Sequence, residues 1–180
     1  MTIGIQPHTG LQIINSTGDD LDRIFELFDH AIAYQKRNGY ELWPRFSKTM
    51  ISDEIAAHRH WKLLDSTETI VCVFSVMYAD PVIWGAQSDK EPAVYLHRIA
   101  VNPLFKGKKI MTLIKTWALI HAKQKGKQFV RMDTWGNNIT LRKYYIDCGF
   151  EYLGQQQLHE VEGQPGHYGG SLLSLFQLKV

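Results

Sequence analysis

The run Ala93–Val101 is the most strand-like part of the chain, and together with the residues directly after it this run limits the fold more than any other feature. Asn102-Pro103 ends the run, because proline lacks the amide hydrogen that the interior of a sheet needs. From about Gly107 onwards, apolar side chains recur at helical spacing until Lys125-Gly126. A strand, a tight turn and a long helix therefore succeed one another directly, and the fold must combine both kinds of element.

The rest of the chain alternates between the same two periodicities. We predict further strands at residues 11–15, 61–64, 69–78, 128–134, 150–158 and 171–180, and a short extended piece at residues 82–85. Helices are predicted from residue 21 to Asn38-Gly39, from Ser47 to about His60, and over residues 138–147. Polar and glycine-rich loops are predicted at residues 87–92 and 163–170. The sequence has no repeat and no linker, so we expect one α+β domain over residues 1–180, with helices interrupting a largely antiparallel sheet.

The charge balance argues against one class of partner. The chain carries 20 basic and 18 acidic residues, a formal net charge of +2. General nucleic-acid binders have a strong basic excess, so we expect no nucleic-acid partner, and positive charge must act locally here. The sequence has no apolar run of about 18 residues, which a membrane-spanning helix needs. Residues 1–10 show no basic segment before an apolar run, so we expect no membrane partner and a cytoplasmic protein.

Cysteine and histidine spacing predicts no metal site. Cys72 and Cys148 lie far apart in apolar surroundings, so a disulfide is compatible with the sequence, but two free thiols are favoured. His58 and His60 are two residues apart on a predicted helix and would not face one point. The sequence has no Cys-x-x-Cys and no other zinc-ligand spacing, so we expect no bound metal.

The turn before the long helix is a candidate anion site. A helix N-terminus presents unpaired backbone amides and the positive end of the helix dipole. Phosphate groups bind at such positions. Lys106, Lys108 and Lys109 add positive charge around Gly107. A solvated basic turn is the alternative interpretation of this segment alone, and the nucleotide P-loop motif is absent.

A second candidate feature lies downstream, where Asn138 precedes Tyr145 by seven residues and a helix closes at Gly149-Phe150. Taken alone, Asn138 is typical of a helix cap, Tyr145 of a half-buried aromatic residue, and Gly149 of the position just past a helix. Neither feature is specific by itself, so their order and spacing carry the argument.

Together the two features resemble the GNAT superfamily of acetyl-CoA-dependent N-acyltransferases. That family shows Val-x-Pro-x-(Tyr/Phe)-(Arg/Gln)-Gly-x-Gly-x-(Gly/Ala) after its fourth strand, then an Asn, then Tyr-x-x-x-Gly-Phe. This chain has Val101-Asn102-Pro103-Leu104-Phe105-Lys106-Gly107-Lys108-Lys109-Ile110-Met111, then Asn138, then Tyr145 to Phe150. The resemblance covers residues 93–154 and implies a mixed, mostly antiparallel sheet flanked by helices.

The predicted phosphate-binding turn, residues 106–111 and called the phosphate turn below, departs from the family pattern at three positions. Lys106 stands for the usual Arg or Gln, Lys109 for a glycine that lets the backbone approach a pyrophosphate, and Met111 for a Gly or Ala. The backbone donors survive these changes, and Lys109 can meet a phosphate as a point charge, so we expect coenzyme A binding to persist. The alternative is a catalytically impaired member of the fold that binds acyl-CoA or regulates a partner.

The resemblance also implies roles for individual residues. The pantetheine arm of acetyl-CoA would lie beside Ile99, Ala100 and Val101, with Asn138 on the same arm. The pyrophosphate would bind the amides of Lys106, Gly107, Lys108, Lys109, Ile110 and Met111. Tyr145 matches the family's general acid, and a phenol suits this step because its pKa of about 10 lies near that of the departing thiol.

The general base is less closely defined by the sequence. Strand alternation puts Tyr95, His97, Ile99 and Val101 on one face. His97 is our first candidate, since imidazole titrates near neutral pH, and a hydrogen-bonded structural histidine is the alternative. Asp133, at the end of a predicted strand, is the second candidate.

The acceptor is expected to be a small-molecule amine. The family's acceptor cleft is commonly lined by the first helices, the hairpin and the closing loops. Trp43, Trp84 and Trp135 lie in such segments, together with Tyr40 and Tyr168 and with the acidic residues Glu41, Asp80 and Asp133. Aromatic and carboxylate groups both attract an ammonium ion, although the same aromatic residues are equally typical of a core. The expected state is a monomer or a homodimer.

Overall fold

A computed structural model of the chain describes residues 10–158 and 170–180. The described strands are β1 Gln12–Asn15, β2 His60–Leu64, β3 Ile70–Met77, β4 Ala93–Val101, β5 Phe129–Trp135, β6 Glu151–Gln157 and β7 Leu172–Lys179. The described helices are α1 Leu21–Arg37, α2 Lys48–Ala56, α3 Pro81–Trp84, α4 Gln87–Lys90, α5 Ile110–Gln124 and α6 Ile139–Asp147. The predicted order of strands and long helices is confirmed.

The strands form one seven-stranded sheet in the order β1-β2-β3-β4-β5-β7-β6. The pairs β1/β2, β2/β3, β5/β7 and β6/β7 are antiparallel. The sheet is flanked by helices, so the α+β class is confirmed. The chain divides into two compact units, Met1–Met77 with Leu96–Trp117 and Tyr78–Tyr95 with Ala118–Val180. No helix of residues 10–158 and 170–180 is long and apolar enough to cross a membrane.

The first unit buries apolar side chains on both faces of its strands. On one face Trp61 and Phe74 are paired across β2 and β3. The ring centroid of Trp117, on α5, lies 4.7 Å from that of Trp61 and 5.1 Å from that of Phe74. On the other face, side chains of α1 and α2 form a buried cluster with side chains of the strands, consisting of Ile24, Leu27, Phe28, Ile51, Leu64, Ile70, Val73 and Ala100. Ala100 in this cluster belongs to β4, the strand that precedes the phosphate turn.

The second unit is built on β5, β7 and β6. Met132, Phe176 and Tyr152 are in register across the three strands and therefore share one face. Tyr145 of α6 packs on that face, with its ring centroid 5.4 Å from that of Phe176. The packing of α6 on the sheet thus fixes where Tyr145 lies.

The prediction that the second helix reaches His60 is wrong. The helix ends at Ala56, His58 has a left-handed backbone with φ 54°, and His60 begins β2. The amides of His58 and Arg59 donate to the carbonyls of Ile55 and Glu54, which is the hydrogen-bond pattern of a Schellman ending. Glycine usually occupies the left-handed position of that ending. Because His58 occupies it here, the sequence did not indicate where the helix ends.

Two short segments after β3 were also assigned wrongly. Val82, Ile83 and Trp84 are helical instead of extended and Gly85 lies in a turn, because Asp80 accepts a hydrogen bond from the Ile83 amide and Pro81 occupies the first helical position. Residues 87–90 form α4 inside the predicted polar loop.

The free-thiol interpretation is confirmed for Cys72 and Cys148, and burial raises the pKa of the Cys72 thiol. The predicted loop at 163–170 falls mostly on residues 159–169, which lie outside the described residues.

The buried histidine His60 predicts a loss of stability in acid. Its Nδ1 lies 2.8 Å from the Ser16 hydroxyl oxygen, and its side chain is fully buried. Burial, reinforced by the positive charge of Arg98, lowers the pKa of His60 from 6.5 to about 4. Between these values the unfolded chain binds the proton and the folded chain does not. The free energy of unfolding should therefore fall as the pH drops below 6.5, by about 3 kcal/mol in total once the pH is below 4.

Urea unfolding of the wild type and of the variant His60→Gln at pH values from 7 to 4 measures this effect. The variant should be less stable at neutral pH but should lose less stability over this pH interval. His121, whose pKa is also lowered to about 4 by burial and by Lys125, supplies a residual slope in both proteins. An identical pH dependence in wild type and variant would contradict the assignment to His60.

Candidate active site

The turn between β4 and α5 is fixed to the sheet by Asn102. This side chain is 1% exposed, donates to the Ile70 carbonyl at 2.9 Å and accepts from the Leu104 amide at 3.1 Å. Its backbone amide donates to the Val71 carbonyl at 2.9 Å. The turn therefore starts from a buried residue that is hydrogen-bonded to the sheet.

The helix after the turn begins at Ile110 instead of the predicted Gly107, because Lys109 has a left-handed backbone with φ 51°.

Two of the six predicted phosphate-binding amides of this turn donate to carbonyls of the turn itself. The amides of Lys106 and Lys108 donate to the carbonyls of Pro103 and Phe105, at 3.3 Å and 3.2 Å, so they serve the turn itself. Within the described residues, no backbone acceptor is found for the remaining four, those of Gly107, Lys109, Ile110 and Met111. These donors precede or open α5, where the helix dipole also favours an anion.

The lysine side chains of the turn differ in their surroundings. The Nζ of Lys106 lies 4.4 Å from the centre of the Tyr34 ring of α1, and that of Lys108 lies 4.9 Å from the Phe105 ring. The pKa of the Asp65 carboxyl is lowered mainly by hydrogen bonds from Thr67. The positive charge of Lys108 lowers it further. Lys109 is exposed. Its left-handed φ explains why the family pattern has glycine there, since glycine adopts that conformation without strain.

The backbone of β4 does not continue its alternation to the end. Arg98 has φ 51°, so the prediction that Tyr95, His97, Ile99 and Val101 share one face is wrong beyond His97. Tyr95 and Ala100 are buried, His97 and Ile99 are half-buried, and Val101 is exposed. The sequence gives no local sign of this change, because arginine rarely adopts a left-handed backbone.

The motif residues Asn138, Gly149 and Phe150 form the two ends of α6, the helix that carries Tyr145. Asn138 caps α6 by accepting a hydrogen bond from the Leu141 amide at 2.9 Å, and its side chain is 8% exposed. At the other end Gly149 has φ 93° and donates to Ile146, while the Phe150 amide donates to the Tyr145 carbonyl. This is a Schellman motif, and the accompanying contact between its first and last side chains is the pair of Tyr145 and Phe150 rings, 6.3 Å apart.

The tyrosine selected from the sequence is buried, whereas its neighbour is exposed. Tyr145 is 7% exposed and packs against Phe150 and Phe176, while Tyr144 is 40% exposed. Adjacent residues on a helix differ by about 100° in direction, and the apolar face of α6 selects Tyr145. The side chain proposed as the acid is therefore held by packing.

The structure brings Asp133 of β5 together with Asp80, which caps α3. Carboxylate oxygens of the two residues lie within 4.8 Å of each other. Asp80 is 4% exposed, and its amide donates to the Ser88 hydroxyl at 2.7 Å. They are 53 positions apart, and only the folding of the segment after β3 brings them together.

The three tryptophans selected as acceptor contacts lie in packed surroundings. Trp43 packs against Phe28 and Phe46 in the first unit. Trp84 is 4% exposed, and the Arg131 guanidinium carbon lies 4.6 Å from the centre of its ring. Trp135, at the end of β5, is 7% exposed. Trp84 and Trp135 are thus buried, Trp43 is half-buried, and Tyr168 lies outside the described residues.

Arg131 is a buried charge that the sequence did not single out. Its side chain is fully buried, forms an ion pair with Glu91 and lies between the rings of Trp84 and Phe129. It also donates to the Gln87 and Glu91 carbonyls and to the Tyr95 hydroxyl. These contacts fasten the segment of α3 and α4, which comes after Asp80. A charged residue in the middle of a predicted strand was the available signal.

Comparison with known proteins identifies the group to which these features belong. The family model described as Acetyltransferase (GNAT) family matches residues 26–150. A curated relative, the uncharacterized N-acetyltransferase YesJ of Bacillus subtilis (strain 168), is 31% identical over 77 residues, which are 42% of this chain. The match spans 41% of the length of YesJ.

Solved structures share the fold over nearly the whole chain. A GNAT-family acetyltransferase from Listeria monocytogenes 4b F2365 has a TM-score of 0.74 and 19% identity, and all of both chains is covered. A chimera of the Vibrio cholerae spermidine N-acetyltransferase SpeG and hSSAT has a TM-score of 0.66 and 15% identity, covering 95% of this chain and 96% of that one. Because the family model spans well over half of the sequence, the protein belongs to the GNAT family of acetyltransferases.

Proposed function

We propose that the protein transfers an acetyl group from acetyl-CoA to the primary amine of a small molecule, by direct attack of the amine in a ternary complex. The observation that carries this proposal is the phosphate turn, where the amides of Gly107, Lys109, Ile110 and Met111 have no backbone acceptor within the described residues. Several amides directed from one turn at a helix N-terminus are the donor set that a pyrophosphate requires.

The side chains of the turn fit the same ligand. Lys106, Lys108 and Lys109 supply positive charge, and only the first two contact aromatic rings in the described structure. Lys109 has a left-handed backbone, which glycine adopts without strain, and its side chain is exposed. The substitution therefore supports retained binding, with Ile99, Ala100 and Val101 proposed beside the pantetheine arm. Asn138 uses its oxygen as a helix cap, so its proposed contact with the cofactor falls to its amide nitrogen.

Two side chains are proposed for the proton transfers. Tyr145 donates a proton to the departing thiolate, and His97 removes the proton from the amine. Bound acetyl-CoA supplies a thioester carbonyl that a neutral amine can attack. Asp133 remains the second candidate for the base. Because Asp133 and Asp80 lie within 4.8 Å of each other, the pair can instead attract the cationic amine before deprotonation.

The pair of carboxylates favours a cationic acceptor over an acidic or neutral one. The spermidine N-acetyltransferase among the structural neighbours is consistent with an amine of this kind, although that similarity is at the level of the fold. Trp43, Trp84 and Trp135 are proposed as further acceptor contacts. For the whole protein we also propose a single domain, a cytoplasmic location, a monomer or homodimer, and no nucleic-acid or membrane partner.

A catalytically impaired acyl-CoA-binding or regulatory module is the second candidate, because Lys109 replaces the family glycine at the phosphate turn. The two candidates share ligand binding and differ in turnover. Thermal unfolding with and without CoA tests binding, with pantetheine, which lacks the pyrophosphate, as the matched control ligand. At 100 times Kd, CoA should stabilise the protein by about 2.7 kcal/mol, roughly 5–10 °C in Tm, and pantetheine by much less.

Free-thiol release from acetyl-CoA then tests turnover with polyamines, aminoglycosides, amino acids and arylalkylamines. Release with a cationic amine supports the enzyme. Stabilisation by CoA without release for any amine supports the regulatory module. A protein that millimolar CoA does not stabilise would contradict both candidates.

A further inference from the structure

Arg98 is the residue at which β4 departs from an ordinary strand. Its φ is 51°, whereas strand residues have φ of about −120° to −140°, so the backbone is turned by roughly 170° about the N–Cα bond. The Cβ atom of arginine makes this left-handed conformation unfavourable, and such residues persist only where the surroundings fix them.

The side chain of Arg98 makes two contacts with its surroundings, and a third contact fixes its ion-pair partner Glu54. Its guanidinium forms an ion pair with Glu54 of α2, and the two side chains are 11% and 7% exposed. Glu54 also accepts a hydrogen bond from the Ser75 hydroxyl of β3 at 2.7 Å. The guanidinium carbon lies 5.6 Å from the centre of the Phe46 ring. A side chain held in this way resists any rotation of its own backbone.

The position of this residue gives the arrangement a consequence for the proposed site. Arg98 lies between His97, the proposed base, and Ile99, whose backbone is proposed to pair with the pantetheine arm. We infer that Glu54 and Arg98 are positioning residues of the acyl-CoA site, because their ion pair holds the left-handed backbone that sets the direction of the peptide groups at His97 and Ile99. This inference rests on the proposed function.

Two double variants separate the backbone from the side chain. Glu54→Gln/Arg98→Gly and Glu54→Gln/Arg98→Ala both remove the ion pair and the guanidinium. They differ in the left-handed backbone, which glycine adopts freely and alanine does not. The glycine variant should keep kcat/KM for acetyl-CoA within about threefold of the Glu54→Gln variant, and the alanine variant should fall about tenfold below it.

Stability is measured for both variants so that activity is expressed per folded molecule. A merely structural role would lower the stability of both and leave their kcat/KM values equal. Equal values, or a lower value for the glycine variant, would overturn the inference. The KM for the acceptor amine should be the same in the two variants, since the change lies on the acetyl-CoA side.

The single variant Glu54→Gln tests the inference if the double variants do not fold. It keeps the shape and a hydrogen bond of the side chain but removes its charge, so it should lower kcat/KM for acetyl-CoA several-fold. An unchanged kcat/KM in Glu54→Gln would overturn the inference. Failure of the proposed function is distinguishable, because it would be seen in the wild type as the absence of turnover.

Discussion

Replacing Tyr145 by phenylalanine is expected to lower kcat by about 100-fold or more while the Kd for CoA changes by less than about threefold. The hydroxyl is proposed to donate the proton that the departing thiolate needs, and a positioned acid contributes an effect of this size. The ring would stay in place, because Tyr145 packs against Phe150 and Phe176 through its aromatic body. Steady-state kinetics and calorimetric CoA binding measure the two quantities.

Tyr144→Phe is the matched control for this experiment. The change is chemically identical, one residue away on the same helix, at a side chain that is 40% exposed. We expect its kcat to stay within about twofold of the wild-type value, because phenylalanine can keep the contact with the Tyr145 ring, 5.8 Å away, and the exposed Tyr144 hydroxyl is not the proposed proton donor. Full turnover in Tyr145→Phe, or an equal loss in both variants, would show that Tyr145 is not the acid.

Replacing Arg131 by alanine is expected to lower the free energy of unfolding by about 3–5 kcal/mol, which corresponds to roughly 10 °C in Tm. The substitution leaves a void between the rings of Trp84 and Phe129. It also removes the hydrogen bonds to the Gln87 carbonyl and the Tyr95 hydroxyl. Urea unfolding measures the loss.

Arg131→Met is the control that separates packing from charge. Methionine fills most of the same space between the two rings, and Glu91 would be left with a side chain that is 40% exposed and can be hydrated. We therefore expect the methionine variant to lose less than half of the stability that the alanine variant loses. A loss below about 1 kcal/mol in Arg131→Ala would contradict the anchoring role of this side chain.

The elements that the sequence predicted well are those whose signals are local. The helix ending at Gly149 depends on residues within five positions of one another, Tyr145 to Phe150, and Gly149 occupies the predicted position just past the helix. The phosphate turn likewise depends on the neighbouring residues Asn102-Pro103 and Gly107. Both features could therefore be located in the sequence, and their resemblance to the GNAT pattern recognised, without tertiary information.

Errors arose where a residue adopts a backbone that its type disfavours. His58 ends α2 in a left-handed conformation, and Lys109 delays the start of α5 in the same way. Propensity rules expect glycine or asparagine at such positions, so both helix boundaries were placed a few residues away. Arg98 is the third example, and there the consequence was a wrong prediction of which side chains share a face.

By itself the sequence determined the order of strands and helices, the GNAT membership and the choice of Tyr145, because each depends on residues close together along the chain. Only the tertiary structure decided that Asp80 lies near Asp133, that Arg131 is buried and that the backbone turns at Arg98. These features depend on contacts between residues more than 30 positions apart. Strand register and the packing of helices on the sheet fix such contacts, and no single segment of sequence contains that information.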